Sequence, residues 1–270
     1  FNNVLKKCKK LKIKPKLFIP QFHAGQTPDC KNLSKIAKRE KIYIIEDACH
    51  AFGAKFYNHM PVGSCNFADL STFSFHPVKN ITTGEGGLVT TNSRQKFTLM
   101  KKIRNHGMEK TKYKTHPYKN NILGFNFRLS DINCALGLSQ LNNLEKFRIK
   151  KNILYKYYEM KLKNINNIEI NNKTNFSKPF WHLLIIKLKK LSISKKEKLM
   201  RYLQKNKIGT QIHYIPIYKH RSFANELCFS KNGSEKYFKE ALTLPFHLKL
   251  KKKDIDYILR KLNEFLSKNK

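Results

Sequence analysis

Two short apolar runs, Leu17-Phe-Ile-Pro-Gln-Phe22 and Ile42-Tyr-Ile-Ile-Glu-Asp47, bracket a stretch in which Leu33, Ile36 and Ala37 recur at helical spacing. The order is a strand (Leu17 to Phe22), a turn holding Gly25 and Pro28 (His23 to Asp29), a helix (Cys30 to Lys41) and a second strand (Ile42 to Ile45). At these lengths this is a βαβ unit, which demands a parallel sheet. Parallel sheets bind ligands beyond the carboxyl ends of their strands. Asp47 falls at such an end. Eight of the 11 glycines lie between Gly25 and Gly124. Glycine permits tight turns and close backbone approach to a ligand, so the first half is the expected site-bearing half.

The next apolar run leads into Ser71-Thr-Phe-Ser-Phe-His-Pro-Val-Lys-Asn-Ile-Thr-Thr-Gly-Glu-Gly-Gly87. It reads as a strand, a polar loop with one lysine, a glycine turn and another strand, Leu88 to Thr91. Ser74 and His76 alternate with Phe73 and Phe75, which puts rings on one sheet face and polar groups on the other. Lys79 is the only lysine between Lys55 and Lys96, in a chain that is lysine-rich elsewhere. Its neighbours are apolar, hydroxylic or glycine. A desolvated lysine loses basicity and becomes a nucleophile and proton shuttle.

A carboxylate at one strand end and an amine in the following loop suit pyridoxal phosphate. The lysine forms a Schiff base with the aldehyde, and the carboxylate partners the pyridinium nitrogen. Each residue also has an ordinary reading. Asp47 alone reads better as an N-cap for Ala48 onward. His50 shares a face with Asp47 if a helical turn starts there, and by itself is a structural histidine. Ser74 alone is a satisfied loop hydroxyl.

With 270 residues, 40% of them hydrophobic, the chain can bury a core and form one or two domains. No apolar run approaches the roughly 20 residues of a membrane helix, and no leader pattern is present. Residue 1 is Phe, so an internal or C-terminal fragment is expected. The formal charge of +37 comes from 55 basic residues against 18 acidic ones. Only eight of the basic residues are Arg, and the lysines are spread singly or in pairs. Nucleic-acid surfaces gather Arg, Lys and aromatics together. We therefore read the excess as solvated lysine, with non-specific attraction to polyanions at low salt. Cysteines at 8, 30, 49, 65, 134 and 228 form no CxxC pair and no zinc-spaced cluster. Reduced thiols in a cytoplasmic protein, with no metal, are the expectation.

From Ser130 a long helical pattern runs through Ile132, Leu136, Leu141 and Phe147 to about Leu162, capped by Ser130 or Asp131. Beyond it the spacing predicts a strand over Trp181–Leu188 and a helix over Lys195–Lys205. A strand over Thr210–Tyr214 follows, then helices over Ser234–Ala241 and Lys252–Ser267. The end of a helix also precedes the first strand, over Asn2–Lys12. The expected domains are 1–135 and 136–270, the second being the linking helix and a smaller α+β domain.

Several runs together resemble the DegT/DnrJ/EryC1/StrS family of sugar aminotransferases. They are Glu46-Asp-Ala-Cys-His-Ala-Phe-Gly-Ala54, Val62-Gly-Ser, the Ser74–Gly87 run, Arg104-Asn-His-Gly-Met108, Gly124-Phe-Asn-Phe-Arg-Leu-Ser-Asp131, Ala135-Leu-Gly-Leu-Ser-Gln-Leu141 and Gln211-Ile-His-Tyr-Ile-Pro-Ile-Tyr218. The last two look most like members of the pseudaminic acid route. The resemblance implies an α/β, fold-type I pyridoxal phosphate transferase. Its mostly parallel sheet would be flanked by helices in an N-terminally incomplete 1–135 domain. It implies Lys79 as the Schiff-base lysine and Asp47 as the ring-nitrogen partner. It places His50 beside the ring and Ser74 at the phosphate. Asn126 would reach the phosphate of a neighbouring subunit's cofactor, implying a homodimer with shared sites. Arg128, His213 and Tyr214 would line the sugar-nucleotide pocket. The implied reaction moves an amino group from an amino acid, glutamate in the family scheme, to C4 of a nucleotide-linked 4-keto-6-deoxy sugar. A perosamine-like product is the alternative within the family. A non-catalytic polyanion-binding protein on a degenerate scaffold is the alternative outside it. One departure stands out: members carry a Gly-Thr helix N-terminus that cradles the phosphate, and a stacking aromatic, ahead of the strand matching Leu17–Phe22. Neither is present here, which fits a fragment, a second chain supplying the rest, or an impaired protein.

Overall fold

The computed structural model describes residues 1–171, 173–223 and 231–268. Cys228 lies outside the described residues. The chain packs as two compact units, residues 16–144 with 176–178, and residues 1–15, 145–175 and 179–270. The chain changes unit after Pro15 and again after Leu144, and residues 1–15 cluster with the C-terminal part.

The chain begins with helix α1 (Asn2–Lys10), then strand β1 (Leu17–Phe18), α2 (Cys30–Arg39), β2 (Tyr43–Asp47), β3 (Lys55–Phe56), β4 (Leu70–Ser74) and β5 (Gly87–Thr90). There follow α3 (Arg94–Arg104), β6 (Met108–Lys110), β7 (Tyr118–Asn120), α4 (Asp131–Asn142) and α5 (Leu144–Leu162). The remainder holds β8 (Ile168–Ile170), β9 (Ser177–Lys178), β10 (Leu184–Leu188), α6 (Ile193–Lys205), α7 (Asn232–Glu240), β11 (Ala241–Leu244) and α8 (Lys252–Lys268).

The first unit is built on a four-stranded sheet in the order β1-β2-β4-β5. Strands β1, β2 and β4 run parallel, with Leu17 opposite Tyr43 and Asp47 opposite Thr72. Strand β5 returns antiparallel to β4. The expected strand to Phe22 is shorter than its sequence suggests. Pro20 has no N–H to give the ladder, so β1 stops at Phe18. The chain still touches β2 once more, where Pro20 O accepts from Asp47 N at 3.0 Å and Phe22 N donates to Asp47 O at 2.9 Å. Helix α2 starts where Asp29 accepts the Asn32 N–H at 3.2 Å, and it buries Cys30, Ser34 and Ala37 at helical spacing. On the sheet, Phe73 and Phe75 are buried, and both meet Phe52 edge-on, at 5.4 and 5.2 Å between ring centres.

The second unit carries an antiparallel sheet in the order β11-β10-β8. Its core joins Leu154 and Tyr158 of α5, Leu184 and Ile186 of β10, Leu199 and Leu203 of α6, and Ile255, Leu259 and Leu262 of α8. Two sequence expectations fail in the C-terminal half. The helical pattern from Ser130 to Leu162 is two helices, because α4 ends at Asn142 with Asn143 as its C-cap. Ser130 does cap α4, accepting the Asn133 N–H. Residues 210–214 form no strand. Gln211 alone exchanges backbone bonds with Thr243, at 3.2 and 2.8 Å.

Alternation along β2 sends Glu46 and Asp47 to opposite faces. Glu46 is 1% exposed. The Ser71 hydroxyl donates to its Oε2 at 2.5 Å, while Oε1 is buried with no hydrogen-bond partner. Burial pushes its pKa up to about 7. A raised carboxyl favours folding below its unfolded pKa, about 4.5, and that contribution is lost as pH rises through about 7. Replacing Glu46 with Gln removes the ionisation but keeps the shape. We expect Glu46→Gln to gain about 1–3 kcal/mol on the parent between pH 5 and pH 8 in urea unfolding. An equal difference at both pH values would contradict the assignment.

Candidate active site

Asp47 closes β2, and the loop carrying Lys79 follows β4, its parallel neighbour. Both therefore sit at carboxyl strand ends, where the βαβ reading put the site. The loop is tied back on itself. Phe75 N donates to Gly86 O at 2.8 Å, Thr83 N to Phe75 O at 3.0 Å, and Lys79 N to His76 O at 2.9 Å. Thr82 Oγ1 donates to Phe75 O and accepts from Gly84 N. From α4, Asn133 Nδ2 donates to Thr83 O. Gly87 is required where the loop re-enters the sheet, because a Cβ there would lie 2.6 Å from the Phe73 carbonyl oxygen.

Within this frame the Lys79 side chain is half-buried. Desolvation lowers its pKa, and the nearby Cys49 and Asp47 pull it partway back. The structure thus brings Lys79 and Asp47 into one electrostatic neighbourhood. Asp47 Oδ1 accepts the Cys49 backbone N–H at 3.2 Å. The turn after Asp47 is a single turn, Ala51 N to Ala48 O at 2.8 Å, and does not continue as a helix. So Asp47 is no helix N-cap, and the helical face expected for His50 is absent. His50 is buried, with its ring 5.8 Å from that of His23.

Ser74 ends β4 opposite Gly87, and its hydroxyl accepts the His76 N–H at 3.4 Å. Asn126 lies in an exposed segment that pairs with Asn105. Arg128, also exposed, donates to Asn105 Oδ1 at 2.8 Å. His213 and Tyr214 belong to the other unit. There His213 Nδ1 lies 2.9 Å from Thr243 Oγ1, and the two rings meet edge-on at 4.8 Å. A cavity of about 510 Å³ beside β4 and β5, lined by Thr72, Phe73, Leu88, Phe97 and Phe127, is mainly apolar and includes neither Lys79 nor Asp47.

Sequence reading missed Cys49. Its backbone N–H donates to Asp47 Oδ1, and its half-buried thiol has its pKa pushed up to about 11, chiefly by burial. Its position two residues after the strand-end aspartate was the available signal.

The residues present fit pyridoxal phosphate. A lysine with reduced basicity can condense with an aldehyde, and a carboxylate beside it can hold a pyridinium N–H. Lys79, Asp47 and Ser74 would hold the group. Among the described residues no His, Cys, Asp and Glu cluster could hold a metal ion, and none of the helices is long and apolar enough to cross a membrane.

The fold is that of the fold-type I pyridoxal phosphate transferases. Residues 10–263 match the profile of the DegT/DnrJ/EryC1/StrS aminotransferase family, and the chain belongs to that family. It is 34% identical over 248 residues to a UDP-4-amino-4,6-dideoxy-N-acetyl-beta-L-altrosamine transaminase of Campylobacter jejuni, covering 91% of this chain and 64% of the relative. It is 28% identical over 248 residues to a GDP-perosamine synthase of Escherichia coli O157:H7, covering 90% and 64%. The solved structure of Helicobacter pylori PseC, an aminotransferase involved in the biosynthesis of pseudoaminic acid, superposes with a TM-score of 0.86 at 28% identity, over 94% of this chain and 67% of that one. The chain thus spans just under two thirds of the two sequence relatives' length.

The Asp47 charge supports protonation of Lys79, so removing it should lower the lysine's pKa further. In Asp47→Asn the pH midpoint for acylation of Lys79, followed by peptide mass spectrometry, should move down. A midpoint that stays put or rises would show that the two groups do not interact.

Proposed function

We propose that the chain is the catalytic part of a pyridoxal phosphate aminotransferase. In this reading it passes an amino group from an amino acid, glutamate first among donors, to C4 of a nucleotide-linked 4-keto-6-deoxy sugar, on the route to pseudaminic acid. The observation that carries it is the half-buried Lys79 amine beside the Asp47 carboxylate at adjacent parallel strand ends. The identity to the altrosamine transaminase supports the sugar class.

When bound, pyridoxal phosphate supplies an electron-accepting ring that can hold the amino group between donor and acceptor. Asp47 keeps a proton on the ring nitrogen. Ser74 offers its hydroxyl to the phosphate. Lys79, less basic than a solvated lysine, takes the proton from Cα of the donor and later delivers one to C4 of the sugar. We assign His50 to the cofactor's surroundings, and Arg128, His213 and Tyr214 to the sugar nucleotide. The identity to the GDP-perosamine synthase favours a second sugar class, a perosamine-type product.

We further propose a homodimer in which Asn126 serves the neighbouring subunit. Phe127 and Leu138 are each 64% exposed and Ile132 84%, which suits a covered surface. The five described cysteines are free thiols, as a cytoplasmic setting allows.

Amino transfer from glutamate to UDP- and GDP-linked 4-keto sugars, read by mass spectrometry, tests the proposal on the whole protein. Lys79→Ala should lose about 10²-fold to 10⁴-fold in rate while its unfolding curve is unchanged. Asp47→Asn should keep the cofactor but turn over poorly. Parent-like rates in Lys79→Ala would end this reading. Sedimentation should give a dimer, and Phe127→Asp together with Ile132→Asp should give monomers. A monomeric parent protein would remove the shared-site proposal.

A further inference from the structure

Three parallel strands end at the ligand edge of the sheet, and only two of those ends have been given a role. Strand β2 leads to Asp47 and His50, and β4 leads to Ser74 and Lys79. The chain leaving β1 turns through His23, Ala24 and Gly25. Phe22 N donates to Asp47 O at 2.9 Å, so residue 23 emerges beside the aspartate. Further on, Gln26 N donates to His23 O at 3.2 Å, Thr27 N to Ser177 Oγ at 3.1 Å, and the Thr27 hydroxyl to Phe176 O at 2.8 Å. The turn is thus pinned at both ends. Inside it Ala24 takes a φ of +57°, a conformation that a residue with a Cβ adopts at a cost and that recurs at functional sites.

Within residues 22–27 only His23 is half-buried, and the others are buried. It is therefore the side chain that this strand end offers to a ligand. Its Nδ1 is buried, which leaves Nε2 as the ring nitrogen that a ligand can reach. The deeper His50, 5% exposed, packs against it with ring centres 5.8 Å apart and planes 37° apart.

Two roles compete for His23. As a packing ring it would support His50 and do nothing else. As a donor it would meet the cofactor, and strand order says at which atom. In pyridoxal phosphate the phosphate arm and the ring hydroxyl lie on opposite sides of the line from the ring nitrogen to the aldehyde carbon. Asp47 on β2 takes the nitrogen, and Ser74 on β4 takes the phosphate. The hydroxyl oxygen then turns to the other side of β2, where β1 lies.

We propose that His23 is a further cofactor-binding residue, whose Nε2–H donates to the ring hydroxyl oxygen of pyridoxal phosphate while His50 backs its ring. The inference rests on the reading of Asp47 and Ser74 as the nitrogen and phosphate partners. That oxygen is anionic in the bound group, and a hydrogen bond to a charged atom is worth about tenfold in affinity.

Titration of the whole protein with pyridoxal phosphate and with its 3-deoxy analogue, which lacks the ring hydroxyl, separates the two roles. His23→Phe keeps a ring against His50 and removes the donor. It should bind pyridoxal phosphate about tenfold more weakly than the parent and the analogue within about twofold of it. His23→Gln keeps a donor and should lose less than about threefold for pyridoxal phosphate. Unchanged affinity in His23→Phe, or an equal loss for both ligands, overturns the assignment, as does a loss in His23→Gln as large as that in His23→Phe. A parent protein that binds neither ligand overturns instead the reading of the site on which the assignment rests.

Discussion

Everything at the site depends on the parallel pairing of β2 with β4. That pairing sets Asp47 against Thr72 and sends both chain ends out of the same edge of the sheet. It also decides which of two adjacent carboxylates comes near Lys79. Glu46 turns into the core and leans toward its neutral form, while Asp47 turns to the other face, accepts the Cys49 N–H and supports the Lys79 ammonium. A slip of one residue would exchange the two, turning Asp47 into the core and putting the longer Glu46 on the ligand face. The glycine turn after Lys79 serves the same end, since only a residue without Cβ lets β5 close against Phe73.

Much of this was legible in the sequence, for identifiable reasons. Alternation of Phe73 and Phe75 with Ser74 and His76 is a strand signal that survives any packing, and both rings are buried as it requires. The isolation of Lys79 in a lysine-poor window marked a desolvated amine before its surroundings were known. What failed were features fixed by context. Asn143 breaks the helix pattern between α4 and α5 without a proline or glycine to announce it. Thr210 to Tyr214 has strand composition but finds a partner only at Gln211. The short strands β3 and β9 pair residues more than 120 positions apart, and no local pattern encodes that. Cys49 carried no signal beyond its place two residues after Asp47, where its backbone N–H meets the carboxylate.

The large positive charge is handled one lysine at a time. Lys161 and Lys252 both lie over the Tyr157 ring, at 5.4 and 5.3 Å, and Lys231 lies 5.1 Å over Tyr218. Lys196 is 1% exposed, and its ammonium donates to the Phe238 and Ala241 carbonyls at the end of α7, where the helix dipole favours a cation. Lysine thus works here as a packing and capping residue as well as a solvated one. Against that background, a half-buried lysine whose ammonium is supported by a strand-end carboxylate is distinct.

The most direct measurement is covalent trapping. Protein mixed with pyridoxal phosphate, reduced with borohydride and digested should carry the pyridoxyl mass on the peptide holding Lys79, ahead of every solvated lysine in the chain. A label spread over surface lysines in proportion to their exposure, with Lys79 unmarked, would mean that partial burial beside Asp47 gives this amine no special chemistry.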